Sequence, residues 1–225
     1  GNPKGVMLSH ENLVSNVLSS CHLLPVEYGG KALSFLPLCH VFERTLLNIY
    51  TYSGISIYYA ESIETIGENI KEVKPDIFTA VPRLIEKVYD KIIAGGNLKS
   101  GIIKRLFNWA VKKAQQFEIN SSTGLTGVIA NKLVYSKIRE GLGGNVKCIV
   151  SGSAALQTRL TTFFWGIGIP ILEGYGLTET SPIISVNSLE TDGTKFGTVG
   201  VVLDKVKVKI ATDGEILTQG PNVMM

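Results

Sequence analysis

The stretch that decides the fold is residues 146–182, which read VKCIVSGSAALQTRLTTFFWGIGIPILEGYGLTETSP. Its opening run, Val146 to Val150, is mostly apolar and β-branched, which predicts a buried strand. Leu156 to Trp165 has the length and apolar spacing of a helix, and Pro170 to Leu172 predicts another short strand. A strand, a helix and a second strand in this order form a unit with parallel strands. The stretch therefore predicts part of a parallel sheet.

The same alternation extends upstream through most of the chain. Ser9 is the predicted N-cap of the first helix, Ser62 that of a later one, and Pro82 stands in the first turn of another. The predicted strands are 32–36, 55–59 and 77–80, and the predicted helices are 9–24, 41–52, 62–73 and one that begins at 82. This alternation of strands and helices predicts an α/β fold, in which helices cover both faces of a parallel sheet.

Two regions depart from this alternation of strands and helices. Residues 95–145 contain helical patterns without a strand between them, and we interpret them as a helical insert. The insert and its flank are basic, since only Glu118 and Glu140 oppose nine cationic residues: Lys91, Lys99, Lys104, Arg105, Lys112, Lys113, Lys132, Lys137 and Arg139. From about Ser181 onward, short strands separated by glycine turns are typical of antiparallel structure. We therefore predict an α/β core over residues 1–184 and the start of a smaller β-rich subdomain over 185–225.

Composition narrows the possible partners. The chain has 225 residues, of which 44% are hydrophobic and 18% charged, and its net charge is +3. This balance does not indicate nucleic-acid binding. Cys21, Cys39 and Cys148 form no CxxC pair and no zinc-binding spacing, so we expect free thiols and a cytoplasmic protein. No apolar run is long enough to span a bilayer.

The opening loop, Gly1-Asn2-Pro3-Lys4-Gly5, has the composition of an anion-binding loop. Glycine lets backbone N–H groups approach a phosphate, and lysine adds a mobile positive charge. An ordinary surface turn is the alternative. A Walker A loop is excluded because that motif needs Ser or Thr after the lysine, where this chain has Gly5.

Two later loops have the composition of a nucleotide site. Residues 151–155 (SGSAA) join a predicted strand to a helix, at the sheet edge where α/β proteins bind ligands. A tight packing turn is the alternative there. In the segment 173–182, Tyr175 lies between two glycines and could stack on a flat ring, Thr178 offers a hydroxyl, and Glu179 is a hard oxygen ligand suited to magnesium. A β-turn followed by a helix start is the alternative for this segment.

Five motifs occur in the order found in the adenylate-forming (ANL) superfamily. They are residues 1–10 (GNPKGVMLSH), 36–44 (LPLCHVFER), 151–155 (SGSAA), 173–182 (EGYGLTETSP) and 214–221, where Gly-Glu-Ile-Leu is followed by Gly220 and Pro221. Together they cover almost the whole chain, which resembles the large N-terminal domain of an AMP-forming acyl-CoA synthetase. Residues 36–44 and the helical insert resemble the long-chain fatty acid–CoA ligase type.

The resemblance implies a role for each matching residue at the phosphates. Lys4 would lie beside the β- and γ-phosphates of ATP, in a loop shaped by Gly1 and Gly5. Thr178 would contact the α-phosphate, and Glu179 would hold Mg²⁺. These residues would support attack of a fatty acid carboxylate on ATP to give an acyl-adenylate, followed by transfer of the acyl group to coenzyme A.

The resemblance also implies an adenine pocket and an acyl entrance. Tyr175 would stack on the adenine, and His40 would stand near the carboxylate and the entrance of the acyl chain. The other residues implied to bind nucleotide are Gly152, Ser153, Ala154, Glu173, Gly174 and Gly176.

The family pattern has parts that this sequence does not contain. They are the first half of the phosphate loop, a ribose-binding aspartate and a C-terminal domain with a catalytic lysine. We therefore expect the chain to be an internal piece of a longer enzyme, too incomplete to complete the reaction alone. The alternatives are a ligase that loads a carrier protein and a non-catalytic adenine-nucleotide binding module. For the basic insert, a peripheral membrane contact competes with an ordinary solvated helical face.

Overall fold

The computed structural model describes residues 4–121, 124–190 and 192–225. Within these ranges the helices are α1 (His10–Ser20), α2 (Val41–Tyr52), α3 (Ile66–Val73), α4 (Pro82–Asn97), α5 (Gly101–Ala114), α6 (Gly124–Ala130), α7 (Ser136–Gly141) and α8 (Thr158–Gly166). The strands are β1 (Lys31–Ser34), β2 (Ser56–Tyr59), β3 (Ile77–Ala80), β4 (Cys148–Ser151), β5 (Ile171–Gly176), β6 (Ile183–Val186), β7 (Val201–Val202), β8 (Lys207–Ile210) and β9 (Ile216–Gln219).

Seven strands form one sheet in the order β2-β1-β3-β4-β5-β6-β7. The first five in this order are parallel to their neighbours, whereas β6 and β7 are antiparallel additions at one edge. Strands β8 and β9 form a separate antiparallel pair. The predicted α/β class, with a mostly parallel sheet followed by antiparallel structure, is confirmed.

The sheet is buried on both faces. Successive residues of its central strands pack into two hydrophobic cores, one on each face. Phe78 and Ile149 pack with α3, α4, α5 and α8 on one face. Ile77, Cys148 and Val150 pack with α1 and α2 on the other. Side chains alternate between the faces of a strand, so strands covered on both sides need apolar residues at successive positions. This explains why the sequence shows continuous apolar runs.

The helical insert contains no strand in its described part. A π-helical turn, Asn131–Tyr135, joins α6 to α7, so residues 124–141 form one continuous helical segment. Ala110 and Ala114 of α5 are buried against the core, whereas Ile103, two turns before Ala110, is 64% exposed. No helix among the described residues is long and apolar enough to cross a bilayer.

One predicted cap is wrong, and one boundary stays a prediction. Helix α3 begins at Ile66 after Thr65, not at Ser62, because the Ser62 and Thr65 side chains bond each other's backbone N–H groups in a turn before the helix. The division near residue 184 stays a prediction. Strands β6 and β7 extend the large sheet, and the separate two-stranded sheet begins at Lys207.

Candidate nucleotide site

Three of the motif segments meet at one edge of the sheet. Strands β1, β4 and β5 are parallel and end at Ser34, Ser151 and Gly176, so the segments that follow them emerge on the same side. Ser151 pairs with Glu173 across β4 and β5. The topology thus brings together residues 36–44, 151–155 and 173–182.

The loop after β4 is packed tightly on one side and open on the other. A Cβ built on Gly152 would lie 2.9 Å from the ring of Phe42, so this ring occupies the space that any side chain would need. Ser153 adopts the left-handed conformation, with φ of 69°. Ser153 and Ala154 are exposed. The loop therefore presents small groups and free backbone to solvent, with Phe42 of the second motif beneath it.

Tyr175 lies at the end of β5, between Gly174 and Gly176. Tyr175 is half-buried and pairs with Ser185 of β6. A Cβ on Gly176 would overlap the carbonyl group of Pro182, whereas one on Gly174 would make only ordinary contacts. Gly176 is thus required by the close approach of the chain at Pro182.

The turn after β5 is tied together through a buried threonine, Thr180. Its hydroxyl donates to the carbonyl oxygen of Pro182 at 2.5 Å and accepts from the backbone N–H of Leu177 at 3.0 Å. Thr178 and Glu179, in the same turn, are exposed. Their hydroxyl and carboxylate are therefore available to a ligand while the backbone is fixed.

The Lys4 segment reaches this turn through residues at the other end of the chain. The backbone N–H of Met225 donates to the carbonyl oxygen of Met7 at 3.1 Å, and that of Met224 donates to the carbonyl oxygen of Glu179 at 2.8 Å. Lys4 and Gly5 are exposed, three and two residues before this junction. Gly1 lies outside the described residues.

This junction is stabilised by the hydrogen bonds of three buried asparagines, Asn12, Asn16 and Asn222. The sequence analysis did not predict this group. Asn12 donates to the carbonyl oxygens of Pro221 and Val223, at 2.8 and 2.9 Å. Asn16 both donates to and accepts from the backbone of Ile183, at 2.7 and 3.2 Å. The available signal was a pair of asparagines one turn apart in a helix, where polar residues are tolerated in the interior only when bonded.

Asn222 completes this asparagine group from the C-terminal side. Its side chain donates to the carbonyl oxygens of Thr180 and Ile183, at 3.0 and 3.3 Å. Together the three residues attach helix α1, and hence the Lys4 loop before it, to the turn that carries Thr178 and Glu179.

Two carboxyl groups are buried near the strand ends. Glu43 of α2 accepts from the hydroxyl of Ser34 at 2.5 Å, and burial raises its pKa although the hydrogen bond from Ser34 opposes the shift. Burial also raises the pKa of Glu173, whose carboxylate accepts from Thr161 of α8 at 2.8 Å. The Glu173 side chain thus faces α8, and its role toward a nucleotide stays a prediction.

His40 lies at the start of α2, on the same edge of the sheet. It is exposed and occupies the N-cap position, where its backbone carbonyl accepts from Arg44 at 3.1 Å. Its imidazole makes no hydrogen bond within the part of the chain that the structure describes. The side chain is therefore accessible, and its role near an acyl carboxylate stays a prediction.

The strand ends also contain buried oxygens that lack partners. The hydroxyls of Ser151 and Ser181 and one carboxylate oxygen of Glu43 have no hydrogen-bond partner among the described residues. Buried polar atoms are normally paired, so these oxygens have free capacity to bond further polar groups. Among the described residues, no group of three or more His, Cys, Asp or Glu side chains is arranged to hold a metal ion.

Comparison with protein families and with curated sequences identifies relatives over the whole chain. The family model described as AMP-binding enzyme matches residues 1–225. A long-chain-fatty-acid–CoA ligase, FadD15 of Mycobacterium bovis, is 34% identical over 98% of this chain and 38% of its own length. Long chain acyl-CoA synthetase 3 of Arabidopsis thaliana is 34% identical over 96% of this chain and 34% of its own length. The chain thus spans less than half the length of these relatives.

Solved structures show the same fold. The inhibitor-bound N-terminal domain of FACL13 from Mycobacterium tuberculosis matches all of this chain and 48% of its own, with a TM-score of 0.68 and 19% identity. An o-succinylbenzoate coenzyme A synthetase from Bacillus subtilis, solved with ATP and a magnesium ion, matches all of this chain and 40% of its own, with a TM-score of 0.67 and 21% identity. From its motifs, its fold and these matches, the chain belongs to the AMP-binding enzyme family.

Proposed function

We propose that this chain forms the nucleotide-binding core of a long-chain fatty acid–CoA ligase. The enzyme would use Mg-ATP to convert a fatty acid carboxylate into an acyl-adenylate, and would then pass the acyl group to coenzyme A. The observation that supports this most is the junction that links the Lys4 loop to Glu179 through Met224 and Met225. It holds a candidate phosphate ligand and a candidate magnesium ligand in one hydrogen-bonded unit.

The residues present fit both the magnesium ion and the nucleotide. Mg²⁺ is usually held by one or two carboxylates together with substrate phosphates and waters, so the single exposed carboxylate of Glu179 is a sufficient protein ligand. The unpartnered hydroxyls of Ser151 and Ser181 fit polar groups arriving at the strand ends. When bound, the ion would offset the charge that develops on the leaving pyrophosphate.

The residues of the chain would act mainly by positioning. Phosphoryl chemistry of this kind depends on alignment and charge stabilisation more than on covalent participation by the protein. The Lys4 ammonium would neutralise charge at the outer phosphates, and the Thr178 hydroxyl would orient the α-phosphate toward the incoming carboxylate. Tyr175 would hold the adenine against the 151–155 loop. The buried Thr180 and Asn222 hold the backbone of the turn that carries Thr178 and Glu179, which lowers the cost of ordering it around the substrate.

The test is palmitate-dependent ATP–pyrophosphate exchange by the full-length protein and its variants. Glu179→Gln keeps the size of the side chain and removes its charge, so the exchange rate should fall by about 100-fold or more, and the magnesium concentration for half-maximal rate should rise. Glu72→Gln, the same change at an exposed position of α3, serves as the control. Wild-type exchange and magnesium dependence in Glu179→Gln would refute the assigned role.

The acyl acceptor needs a separate measurement, because a ligase that loads a carrier protein would show the same exchange. Palmitate and Mg-ATP are incubated with coenzyme A or with a phosphopantetheinylated carrier protein, and thioester products are quantified. We expect thioester formation with coenzyme A. Thioester formation on the carrier protein alone would keep the adenylation step and discard the ligase type.

A further inference from the structure

Helix α2 contacts the turn of residues 178–181, which carries Glu179, through a buried threonine, Thr45. This residue is 1% exposed, and its hydroxyl donates to the carbonyl oxygen of Ser181 at 3.2 Å. Thr45 lies outside the five motifs, since the second of them ends at Arg44. Neither the motifs nor the proposed chemistry therefore explains why a hydroxyl is buried at this position.

The direction of this hydrogen bond distinguishes Thr45 from the other threonine of α2. A threonine inside a helix often bonds the carbonyl four residues before it. Thr51 does so, because its hydroxyl donates to the carbonyl oxygen of Leu47 at 2.8 Å. Thr45 instead donates out of its helix, to a residue 136 positions away in the chain. Its hydroxyl thus joins two elements of the fold, whereas that of Thr51 bonds within the helix.

Ser181 has a backbone conformation that needs support from its surroundings. Its φ is 68°, in the left-handed region that residues other than glycine rarely adopt. A residue in this region persists only where neighbouring contacts hold it there. Ser181 is fully buried, and its carbonyl oxygen accepts no other hydrogen bond among the described residues. The Thr45 hydroxyl is therefore the donor that satisfies this carbonyl.

Ser181 in turn fixes the residues that would meet the magnesium ion and the α-phosphate. Its backbone N–H donates to the carbonyl oxygen of Thr178 at 3.3 Å, which closes the turn around Glu179. The side chain of Asn222 bonds the same turn at the carbonyl oxygen of Thr180. Because the Glu179 side chain is exposed, the placement of its carboxylate depends on the backbone that carries it.

Helix α2 is itself attached to the sheet beside Thr45. Glu43, two residues earlier, accepts from the hydroxyl of Ser34 at the end of β1, and both of these residues are 1% exposed. Leu46 and Ile49 of the same helix are buried in the core between α2 and the sheet. These contacts keep α2 in place, so a hydrogen bond from it fixes the position of the residue that accepts it.

We propose that Thr45 is a positioning residue for the turn that binds magnesium, an inference that rests on the proposed function. Its hydroxyl holds the Ser181 carbonyl, and through it the backbone that places the Glu179 carboxylate. Ligands of a functional site must be held to within about 0.5 Å of their working positions. Loss of the hydroxyl therefore weakens the magnesium-dependent part of nucleotide binding more than the part that needs no magnesium.

The experiment is a calorimetric titration of the full-length protein with ATP, without fatty acid, in the presence and absence of magnesium. The ratio of the two dissociation constants is the gain in affinity that magnesium provides. Thr45→Val removes the hydroxyl and keeps the branched shape of the side chain, so we expect this gain to fall by about fivefold. The affinity for ATP without magnesium should change by less than about twofold. The magnesium concentration for half-maximal pyrophosphate exchange should rise by about fivefold.

Two further variants separate positioning from a contribution to stability alone. Thr45→Ser restores the hydroxyl and should recover most of the magnesium gain. Thr51→Val makes the same replacement in the same helix, at an exposed hydroxyl that bonds within the helix, and should behave as the parent does. Urea unfolding gives the folded fraction of each protein. A lower folded fraction reduces the amount of active protein but not the magnesium gain of the folded molecules. Thr45→Ala takes the place of Thr45→Val if the valine variant does not fold.

Three results would overturn the positioning role. They are a magnesium gain like that of the parent in folded Thr45→Val, an equal deficit in Thr45→Ser and Thr45→Val, and a loss of ATP affinity of the same size with and without magnesium. Failure of the proposed function gives a different result. A folded parent that neither binds ATP nor exchanges pyrophosphate would refute the reaction and this inference with it, whereas an active parent with unaltered variants would refute the positioning role alone.

Discussion

Replacing Asn16 with alanine should destabilise the chain and loosen the junction on which the candidate site depends. Asn16 is 1% exposed, and it forms two hydrogen bonds to the backbone of Ile183 across the contact between α1 and β6. Alanine removes both. The carbonyl of Ile183 keeps a second donor in the side chain of Asn222, at 3.3 Å, whereas its N–H loses the amide oxygen that it now binds.

The magnitude follows from these contacts. Each hydrogen bond contributes about 1 kcal/mol net, and an N–H left without a partner away from water costs about 1–3 kcal/mol. The loss in free energy of unfolding should therefore be about 2–4 kcal/mol. Alanine also has a higher helix propensity than asparagine, which offsets roughly 0.5 kcal/mol of this loss.

Urea unfolding followed by circular dichroism measures the effect, with Asn108→Ala as the matched control. Asn108 is also inside a helix, but it is exposed, so its replacement changes helix propensity without removing a buried bond. The control should be neutral or slightly stabilised. A difference below about 0.5 kcal/mol between the two variants would refute the reasoning that the asparagine group holds α1 to the site.

Two further predictions concern the strand ends. Gly176→Ala should cost about 2–4 kcal/mol of stability, because a Cβ there overlaps the Pro182 carbonyl. Gly174→Ala in the same strand is the control and should cost less than half as much. Equal losses in urea unfolding would contradict the packing argument. Glu43→Gln should gain stability relative to the parent as pH rises from about 4 to about 8. Burial raises the pKa of Glu43 above its ordinary value of 4.5, so the stability contributed by the neutral carboxyl is present below the unfolded pKa and is lost as pH rises through the folded one. A pH-independent difference between the two proteins would show that this carboxyl is not strained by burial.

The parts of the fold that could be predicted from sequence are those that depend on local sequence patterns. Strands β3 and β4 and helix α2 could be predicted because their apolar patterns indicate burial. Prolines near the ends of β3 and before α2 mark where these elements begin or stop. The place of the 151–155 loop at the ligand-binding edge could also be predicted, because it joins a strand to a helix in a parallel sheet. The strand order was not predicted, because it depends on how each crossover helix docks and not on any one segment.

The contacts that sequence reasoning missed join residues far apart in the chain. Asn12 bonds to Pro221, 209 residues away, and Asn16 bonds to Ile183, 167 residues away. No local pattern records such a partner. The wrong cap at Ser62 has a local cause, because Ser62 and Thr65 bond each other's backbone N–H groups in a separate turn and the helix begins after Thr65.

The central claim, that this chain belongs to a protein that adenylates long-chain fatty acids, is tested most directly by ATP–pyrophosphate exchange across a series of acids. The full-length protein is assayed with magnesium and acids from acetate to stearate. We predict exchange that depends on added acid and appears with the long-chain members of the series. Exchange with short or aromatic acids alone would keep adenylation and discard the substrate class. A folded protein that exchanges pyrophosphate with none of them would contradict the account.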